Sequence, residues 1–178
     1  MIILLQNFSR SINNLNEWVG RATSWLTGAL VLVVCFDVVA RKIFNFSKIW
    51  IMDVEWHLFS LIFLLSAGFA LKHNKHVRVD LFYEKFSVKE KAAINFWGNL
   101  LFLIPWCCLV IYFSFGYAME SLSMNEGSPE PGGLPMRFII KFCITIGIGL
   151  LLLQALAGLI ESGIELFSKP NEKSDAVD

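Results

Sequence analysis

"FCITIGIGLLLLQALAGLI", residues 142–160, contains no charged side chain. A helix needs about 20 predominantly apolar residues to cross the hydrocarbon core of a bilayer. With its flank, this segment covers residues 134–160, and three others of similar character cover residues 22–44, 50–71 and 93–117. A soluble protein would have to be far larger to bury four such helices. The sequence therefore predicts an all-α integral membrane protein with four transmembrane helices.

The overall composition excludes several classes of protein. Charged residues make up 17% of the 178 residues, against about 25% in an average globular domain. The formal net charge is zero, which argues against a nucleic-acid-binding protein, because such domains are usually clearly basic. No nucleotide-binding, nucleophile-elbow or metalloprotease motif occurs, so we expect neither an enzyme nor a cofactor. The cysteines lie inside the predicted spans without a CxxC pair, which favours packing over a disulfide framework or a zinc site; they are Cys35, Cys107, Cys108 and Cys143.

Residues 1–21 have the pattern of an amphipathic helix rather than of a signal peptide. No positive charge precedes the apolar start, and the apolar run is too short for the core of such a peptide. Apolar residues between Leu4 and Val19 recur at helical spacing, with amides and charges on the other side. We predict an interfacial helix over residues 1–21, a membrane domain over 22–160 and a polar cytoplasmic tail over 161–178. A frayed N-terminus is the alternative.

The distribution of Lys and Arg predicts the orientation. The segment before the first span, the second connection and the tail together carry ten Lys and Arg residues, against three in the other two connections. Basic residues concentrate on the cytoplasmic side of membrane proteins. Both termini are therefore predicted to be cytoplasmic, and the third connection is predicted to face outward.

Ionisable residues inside the predicted spans are candidates for function, because they are costly in a membrane. Asp37 and Arg41 are four residues apart and should form an ion pair on one helix face. Asp53 and His57 have the same spacing, and Glu55 points to a different face from which it could meet Arg41. We interpret these groups as paired charges that fix helix ends and helix contacts. A proton or ion relay is the less favoured alternative, because the acids cluster at one end.

The third connection is a candidate docking surface. Its sequence "ESLSMNEGSPEPGGLP", residues 120–135, is rich in Gly, Pro, Ser and Glu, which predicts an irregular connector. Its prolines should make it stiff, and its glutamates make it acidic. The candidate docking residues in and beside it are Glu126, Ser128, Glu130 and Arg137.

Several blocks of the chain resemble one family. "VVARKIFNFSKIW", residues 38–50, has Arg41, Asn45, Ser47 and Trp50 at the spacing of a family segment. It is followed by a block containing Glu55, by "HVRVDLFYEKFS" at residues 76–87, and by the "PGGLP" connection. Together, roughly over residues 25–160, these blocks resemble the small membrane subunit of tripartite ATP-independent periplasmic (TRAP) transporters. The chain departs from the family pattern at Ser66-Ala67-Gly68, where we expect Gly-Ala-Ala, and at Thr145, where we expect a proline.

This resemblance implies the following role. A periplasmic binding protein would deliver an organic acid to two subunits in the bacterial inner membrane, and the large subunit would carry the substrate and sodium sites. The small subunit would brace the stationary scaffold and contact membrane lipids. Residues of the second connection would anchor the turn between the second and third spans on the cytoplasmic side; they are His76, Arg78 and Asp80.

Two other functions remain open at this stage. One is an independent small transporter that works as a homo-oligomer, although no polar stripe reaches the middle of the membrane, as a transport path usually requires. The other is a membrane anchor that binds haem or quinone. A bis-histidine haem site needs axial ligands at matched depth, and His57 is the only histidine within a predicted span. The sequence does not identify a transported substrate.

Overall fold

The computed structural model describes residues 2–73 and 86–167, and this part of the chain is helical apart from its connections. The helices are α1 (Ile2–Phe44), α2 (Ile49–Lys72), α3 (Val88–Gly98), α4 (Ile104–Ser123) and α5 (Phe138–Phe167). A π-helical turn, Asn99–Leu103, joins α3 to α4, so that Val88–Ser123 is one continuous helix. Four helices are therefore long and apolar enough to cross a membrane, which confirms the predicted all-α fold.

The separate interfacial helix predicted for residues 1–21 is not confirmed, because α1 continues without a break from Ile2 to Phe44. A helix of this length extends about 65 Å, roughly twice the hydrocarbon thickness. Its buried stripe contains Ser9, Ile12 and Asn16, whereas Trp18 is 71% exposed. Two polar side chains on the first half of α1 therefore face the protein, whereas apolar side chains such as Phe8 and Trp18 face outward.

Helix α5 is the central element of the bundle. It packs against α1, α2, α3 and α4, which fits its place as the most apolar of the four long helices. A buried core joins Cys107 of α4 to Ile148 and Leu151 of α5. At Thr145, where the resemblance suggested a proline, the hydroxyl lies 2.9 Å from the hydroxyl of Ser114. This contact links α4 to α5.

Two helix ends show how the sequence sets the boundaries. Ser87 caps α3 through a reciprocal capping box, in which the Glu90 carboxylate accepts a hydrogen bond of 2.8 Å from the Ser87 backbone N–H. Pro105 lies at the start of α4, and the π-helical turn precedes it. Proline has no N–H to donate to the preceding turn, so this irregularity coincides with a lost backbone bond.

Helix α5 begins at Phe138 and ends at Phe167, later at both ends than the predicted span 134–160.

Helices α2 and α5 approach each other closely at Gly147. A Cβ added there would lie 2.7 Å from the carbonyl oxygen of Leu64 and 2.9 Å from its Cβ. A Cβ on Gly68 would likewise meet the carbonyl oxygen of Leu150 at 3.1 Å. Small residues allow this approach, as is common between membrane helices. The observed Gly68 thus keeps a close helix contact despite the departure from the family pattern.

The Gly147→Ala substitution should destabilise the protein. The added methyl would push α5 away from the α2 backbone, at a cost of about 1–3 kcal/mol by analogy with overpacked cores. Gly149→Ala is the matched control, since no atom lies within 4 Å of a Cβ there and alanine favours a helix over glycine. Thermal unfolding in mild detergent measures both. Equal midpoints for the two variants would contradict the close contact.

Candidate functional site

Polar side chains gather at the two ends of the bundle. The loop cluster comprises the connection 124–137 and the side chains that hold it from the start of α2 and the facing ends of α4 and α5. The amide cluster lies toward the opposite end, where the first half of α1 meets the end of α2 and the second half of α5. Since hydrocarbon cannot satisfy polar groups, each cluster has to be closed by contacts between helices.

Glu126 is the centre of the loop cluster. Its carboxylate accepts a hydrogen bond of 2.7 Å from the Ser121 hydroxyl and forms an ion pair with Lys141. Its backbone carbonyl accepts a bond of 2.8 Å from the backbone N–H of Arg137. The Lys141 ammonium also lies 3.8 Å from the ring centroid of Tyr117, a cation–π contact. Hydrogen bonds from Lys141 and then Ser121 hold the pKa of Glu126 below its usual range.

Asp53 holds the other half of the connection. Its carboxylate accepts a hydrogen bond of 2.8 Å from the Leu134 backbone N–H. The carbonyl of Leu134 accepts one of 2.9 Å from the backbone N–H of Ser128. Gly133 is packed so tightly that a Cβ there would lie 2.5 Å from the Asp53 carboxylate, and Gly132 has a φ of +83°, which favours glycine. Close packing at Gly133 and the positive φ at Gly132 therefore explain why both positions are glycine.

The residues around the first connection lie at the end of α1, in the connection itself and at the start of α2. The Arg41 guanidinium donates a hydrogen bond to the carboxylate of Asp37, a buried residue. Asn45 follows the end of α1 with a φ of +49°, a conformation that Asn tolerates at a helix C-terminus. Ser47 lies in the connection and provides no side-chain cap to α2, and Trp50 is 44% exposed at the start of that helix.

Two proposed pairings in α2 are absent. The ring Nδ1 of His57 contacts the backbone carbonyl of Asp53 rather than its carboxylate, and that carboxylate accepts a hydrogen bond from Leu134 instead. The structure does not pair Glu55 with Arg41, which binds Asp37 instead. One carboxylate oxygen of Glu55 is buried and has no hydrogen-bond partner in the described part of the chain. Helical spacing alone did not reveal that the connection would compete for Asp53.

A crevice runs from the loop cluster toward the middle of α2. Its upper part is a cavity of about 380 Å³ lined by both apolar and charged side chains. Its lower part is a groove of about 410 Å³ between α2 and α5, with a mostly aromatic and aliphatic lining. The two parts share four lining residues, Trp56, Ser60, Arg137 and Ile140. The two parts are therefore continuous, and their lining side chains change from partly charged in the cavity to mainly apolar in the groove.

The amide cluster ties α1 to α5. The Asn16 amide donates to the Gln154 side-chain oxygen at 2.9 Å, and the Gln154 amide donates to the Asn13 side-chain oxygen at 2.7 Å. The Asn13 amide in turn donates to Glu161 at 2.7 Å, and the Ser9 hydroxyl donates to the same carboxylate oxygen at 2.5 Å. This chain of hydrogen bonds explains why the polar face of α1 is directed toward α5.

Glu17 ties the same part of α1 to the end of α2. Its carboxylate forms ion pairs with Lys72 at 2.8 Å and with Arg21 at 3.0 Å. The ring Nε2 of His73 lies 2.9 Å from it as well. The Lys72 ammonium also donates to the Asn13 backbone carbonyl at 3.0 Å. The first half of α1 is thus fixed to both α2 and α5.

Sequence reasoning missed Lys141, Asn16, Gln154 and Glu161 as parts of these clusters. A signal existed for Lys141, since it is a cation near the start of a predicted span and should have been examined like Asp37. The partner of Gln154 could not be inferred, because it lies on a helix distant in sequence. The proposed anchor residues of the second connection lie outside the described residues; they are His76, Arg78 and Asp80.

Within residues 2–73 and 86–167, no group of three or more His, Cys, Asp or Glu side chains could hold a metal ion. A sequence model of the DctQ component of tripartite ATP-independent periplasmic transporters matches residues 30–162. The chain belongs to the DctQ family. This match covers all four apolar helices at least in part, and it identifies the chain as a small, multi-pass membrane subunit of a TRAP transporter.

A curated relative of this DctQ subunit is the sialic acid TRAP transporter permease protein SiaT from Haemophilus influenzae (strain 86-028NP). It is 25% identical over 105 residues, which cover 59% of this chain and 16% of the relative. The DctQ subunit therefore spans only a small part of the length of that protein.

Acidification should destabilise the loop cluster. Because the folded protein lowers the pKa of Glu126, the ion pair contributes its full stability above the ordinary glutamate pKa of about 4.3, and this contribution is lost as the pH falls through the folded pKa. Glu126→Gln should lower the unfolding midpoint at pH 7, because Lys141 loses its charged partner, and it should weaken the pH dependence at acidic pH.

Glu130→Gln is the control, since the Glu130 side chain forms no ion pair or hydrogen bond within the described residues. It should keep the wild-type pH dependence. Thermal unfolding between pH 3 and pH 7 in mild detergent measures the three proteins. A Glu126→Gln variant with the wild-type slope would show that this ion pair is not the source of the pH dependence.

Proposed function

We propose that this DctQ subunit braces the large membrane subunit of a TRAP transporter and helps to dock a periplasmic binding protein during sodium-coupled uptake of an organic acid. The observation that carries the proposal is the family match over residues 30–162. The name of the relative specifies sialic acid for that protein; for this chain we propose only the broader class of organic acids.

The distribution of polar contacts supports a scaffold role. The loop cluster and the amide cluster close the two ends of the bundle, and both consist of contacts within the chain. Each joins elements far apart in sequence, as in the bonds of Leu134 to Asp53 and of Gln154 to Asn16. A subunit that stays still while its partner moves benefits from such cross-links, because they oppose sliding between its own helices.

A surface for the large subunit is available on α4. A groove of about 880 Å³ is lined by side chains that include Tyr112, Phe115, Gly116 and Tyr117. Tyr112 is 76% exposed, and nothing lies within 4 Å of a Cβ added to Gly116. Aromatic side chains around a glycine form a surface into which a neighbouring helix can pack. We propose that a helix of the large subunit occupies this groove.

The connection 124–137 is the proposed docking surface for the binding protein, on the periplasmic side of the inner membrane with both termini in the cytoplasm. Glu126 is already engaged by Lys141 and Ser121, so its charge serves the fold of the connection. Glu130 is exposed and unpaired within the described residues. We therefore assign the contact with a basic group of the binding protein to Glu130.

Filling the α4 groove should disrupt assembly with the large subunit. Gly116→Trp would place an indole in the groove, since a Cβ there meets nothing within 4 Å. The matched control is Gly28→Trp on α1, where a Cβ also meets nothing within 4 Å. Copurification of the large subunit with the tagged chain should be lost for Gly116→Trp and kept for Gly28→Trp. The opposite pattern would place the interface on α1.

Reconstitution separates this proposal from an independent transporter. The wild-type chain alone in proteoliposomes should give no uptake, whereas the complex with its large subunit and binding protein should. Uptake by the chain alone would contradict the scaffold role.

Charge reversal tests docking. Glu130→Lys should weaken binding of the periplasmic protein roughly three- to tenfold, because a surface charge contact is replaced by repulsion. The effect should shrink at high salt. Glu165→Lys, an exposed reversal at the opposite end of the bundle, is the control and should bind like the wild type. Unchanged affinity for Glu130→Lys, measured on the assembled membrane complex, would rule out docking through this residue.

A further inference from the structure

The crevice beside the loop cluster has the features of a binding site for a single amphiphile. Its upper cavity contains Arg137, Glu130 and Asp53, whereas its lower groove is lined mainly by side chains such as Phe63 and Leu64. From Asp53 to Phe63 along α2 the distance is about 15 Å. This equals about half the thickness of the hydrocarbon core, and so the depth of one leaflet.

We propose that this crevice binds a membrane phospholipid with a primary-amine headgroup, phosphatidylethanolamine in chemical class. The headgroup occupies the cavity of about 380 Å³, and one acyl chain lies in the groove of about 410 Å³ between α2 and α5. The crevice shares Glu130 with the proposed contact for the binding protein and Tyr117 with the groove on α4. Lipid binding there requires neither the binding protein nor the large subunit.

The charges of the cavity select the headgroup. The guanidinium of Arg137 forms no hydrogen bond or ion pair with the part of the chain that the structure describes, while its backbone is held by Glu126. It can therefore present its planar fork to a phosphate, a geometry that favours two parallel hydrogen bonds. A free phosphate would use the same group, but it would leave the adjoining apolar groove without an occupant.

Two carboxylates in the same cavity favour a zwitterion over an anion. Glu130 is exposed, and Asp53 uses one oxygen for Leu134, so both can accept hydrogen bonds from a primary ammonium. A trimethylammonium group has no N–H to donate, which disfavours phosphatidylcholine. A headgroup with a phosphate and no cation, as in phosphatidylglycerol, would face two carboxylates against one guanidinium.

The lower groove is placed to take an acyl chain. Phe59 and Phe63 are 56% and 70% exposed on α2, and Ile140 and Ile144 line the opposite wall from α5. Trp56 lies at the junction of the two parts, a depth at which tryptophan is enriched in membrane proteins. A chain lying there would cover apolar surface that α2 and α5 leave open between them.

Native mass spectrometry of the full-length chain, purified in mild detergent, tests the site. Phosphatidylethanolamine, phosphatidylcholine and phosphatidylglycerol with identical acyl chains are each titrated onto the protein. Phosphatidylethanolamine should be retained at least fivefold more strongly than the other two. Equal retention of all three would overturn the headgroup assignment. Full displacement by millimolar inorganic phosphate would show an anion site rather than a lipid site.

Two pairs of variants locate the binding. Arg137→Gln should weaken phosphatidylethanolamine retention about tenfold, the loss expected for a charge-assisted hydrogen bond. Arg10→Gln, which changes an exposed arginine at the far end of α1, should have no effect.

Ile140→Trp should fill the groove and weaken retention of all three lipids. Ile139→Trp, at an exposed position of the same helix, should leave retention unchanged.

Equal effects of the two arginine variants, or of the two tryptophan variants, would contradict binding in this crevice. Unfolding midpoints of all four variants are measured in parallel, so that a loss of fold is distinguished from a loss of lipid. If the Arg137→Gln variant unfolds, Arg137→Lys is used instead. Lysine keeps the positive charge but lacks the planar guanidinium, so this variant should retain phosphatidylethanolamine at an intermediate level. Wild-type retention by Arg137→Lys would contradict bidentate phosphate recognition.

Discussion

The absence of water in the hydrocarbon core is the constraint on which this structure depends. A polar side chain that faces neither headgroups nor water has to find its partner within the protein. Asn16 and Gln154 find each other across α1 and α5, and Lys141 finds Glu126 on the connection after α4. These contacts are directional, unlike apolar contacts. They therefore fix how the helices are rotated and how deep they lie relative to one another.

Lys141 shows how one such contact organises several elements. It lies in the first turn of α5 and is only 8% exposed, so an unpaired ammonium there would be costly. Glu126 supplies the opposite charge, and Tyr117 supplies an aromatic face from α4. The connection is consequently drawn onto the end of the bundle. Asp53 holds its other side from α2, so three helices determine the shape of an irregular segment.

The sequence predicted the parts of the fold that depend on composition and local spacing. Four apolar segments gave four helices, and the spacing of Asp37 and Arg41 was enough to place their ion pair on one face. The sequence could not predict the partner of the Asp53 carboxylate. Its donor, the backbone N–H of Leu134, lies on a connection 81 residues away in sequence. For the same reason, the sequence predicts a separate interfacial helix where the structure has the first half of α1. Its amides had partners, such as Gln154, that only the packed bundle brings near.

The hydrogen bonds within the connection bear on how such a subunit can bind partners. Ordering a flexible loop on binding costs free energy that reduces affinity. Here bonds within the chain hold the segment, through Glu126, Leu134 and the glycine pair at Gly132 and Gly133. The same bonds leave the Glu130 carboxylate and the Arg137 guanidinium without a hydrogen bond or ion pair in the described structure. Some charged side chains are thus paired within the protein and stabilise its fold. The same contacts position the unpaired charged side chains so that they can bind other molecules.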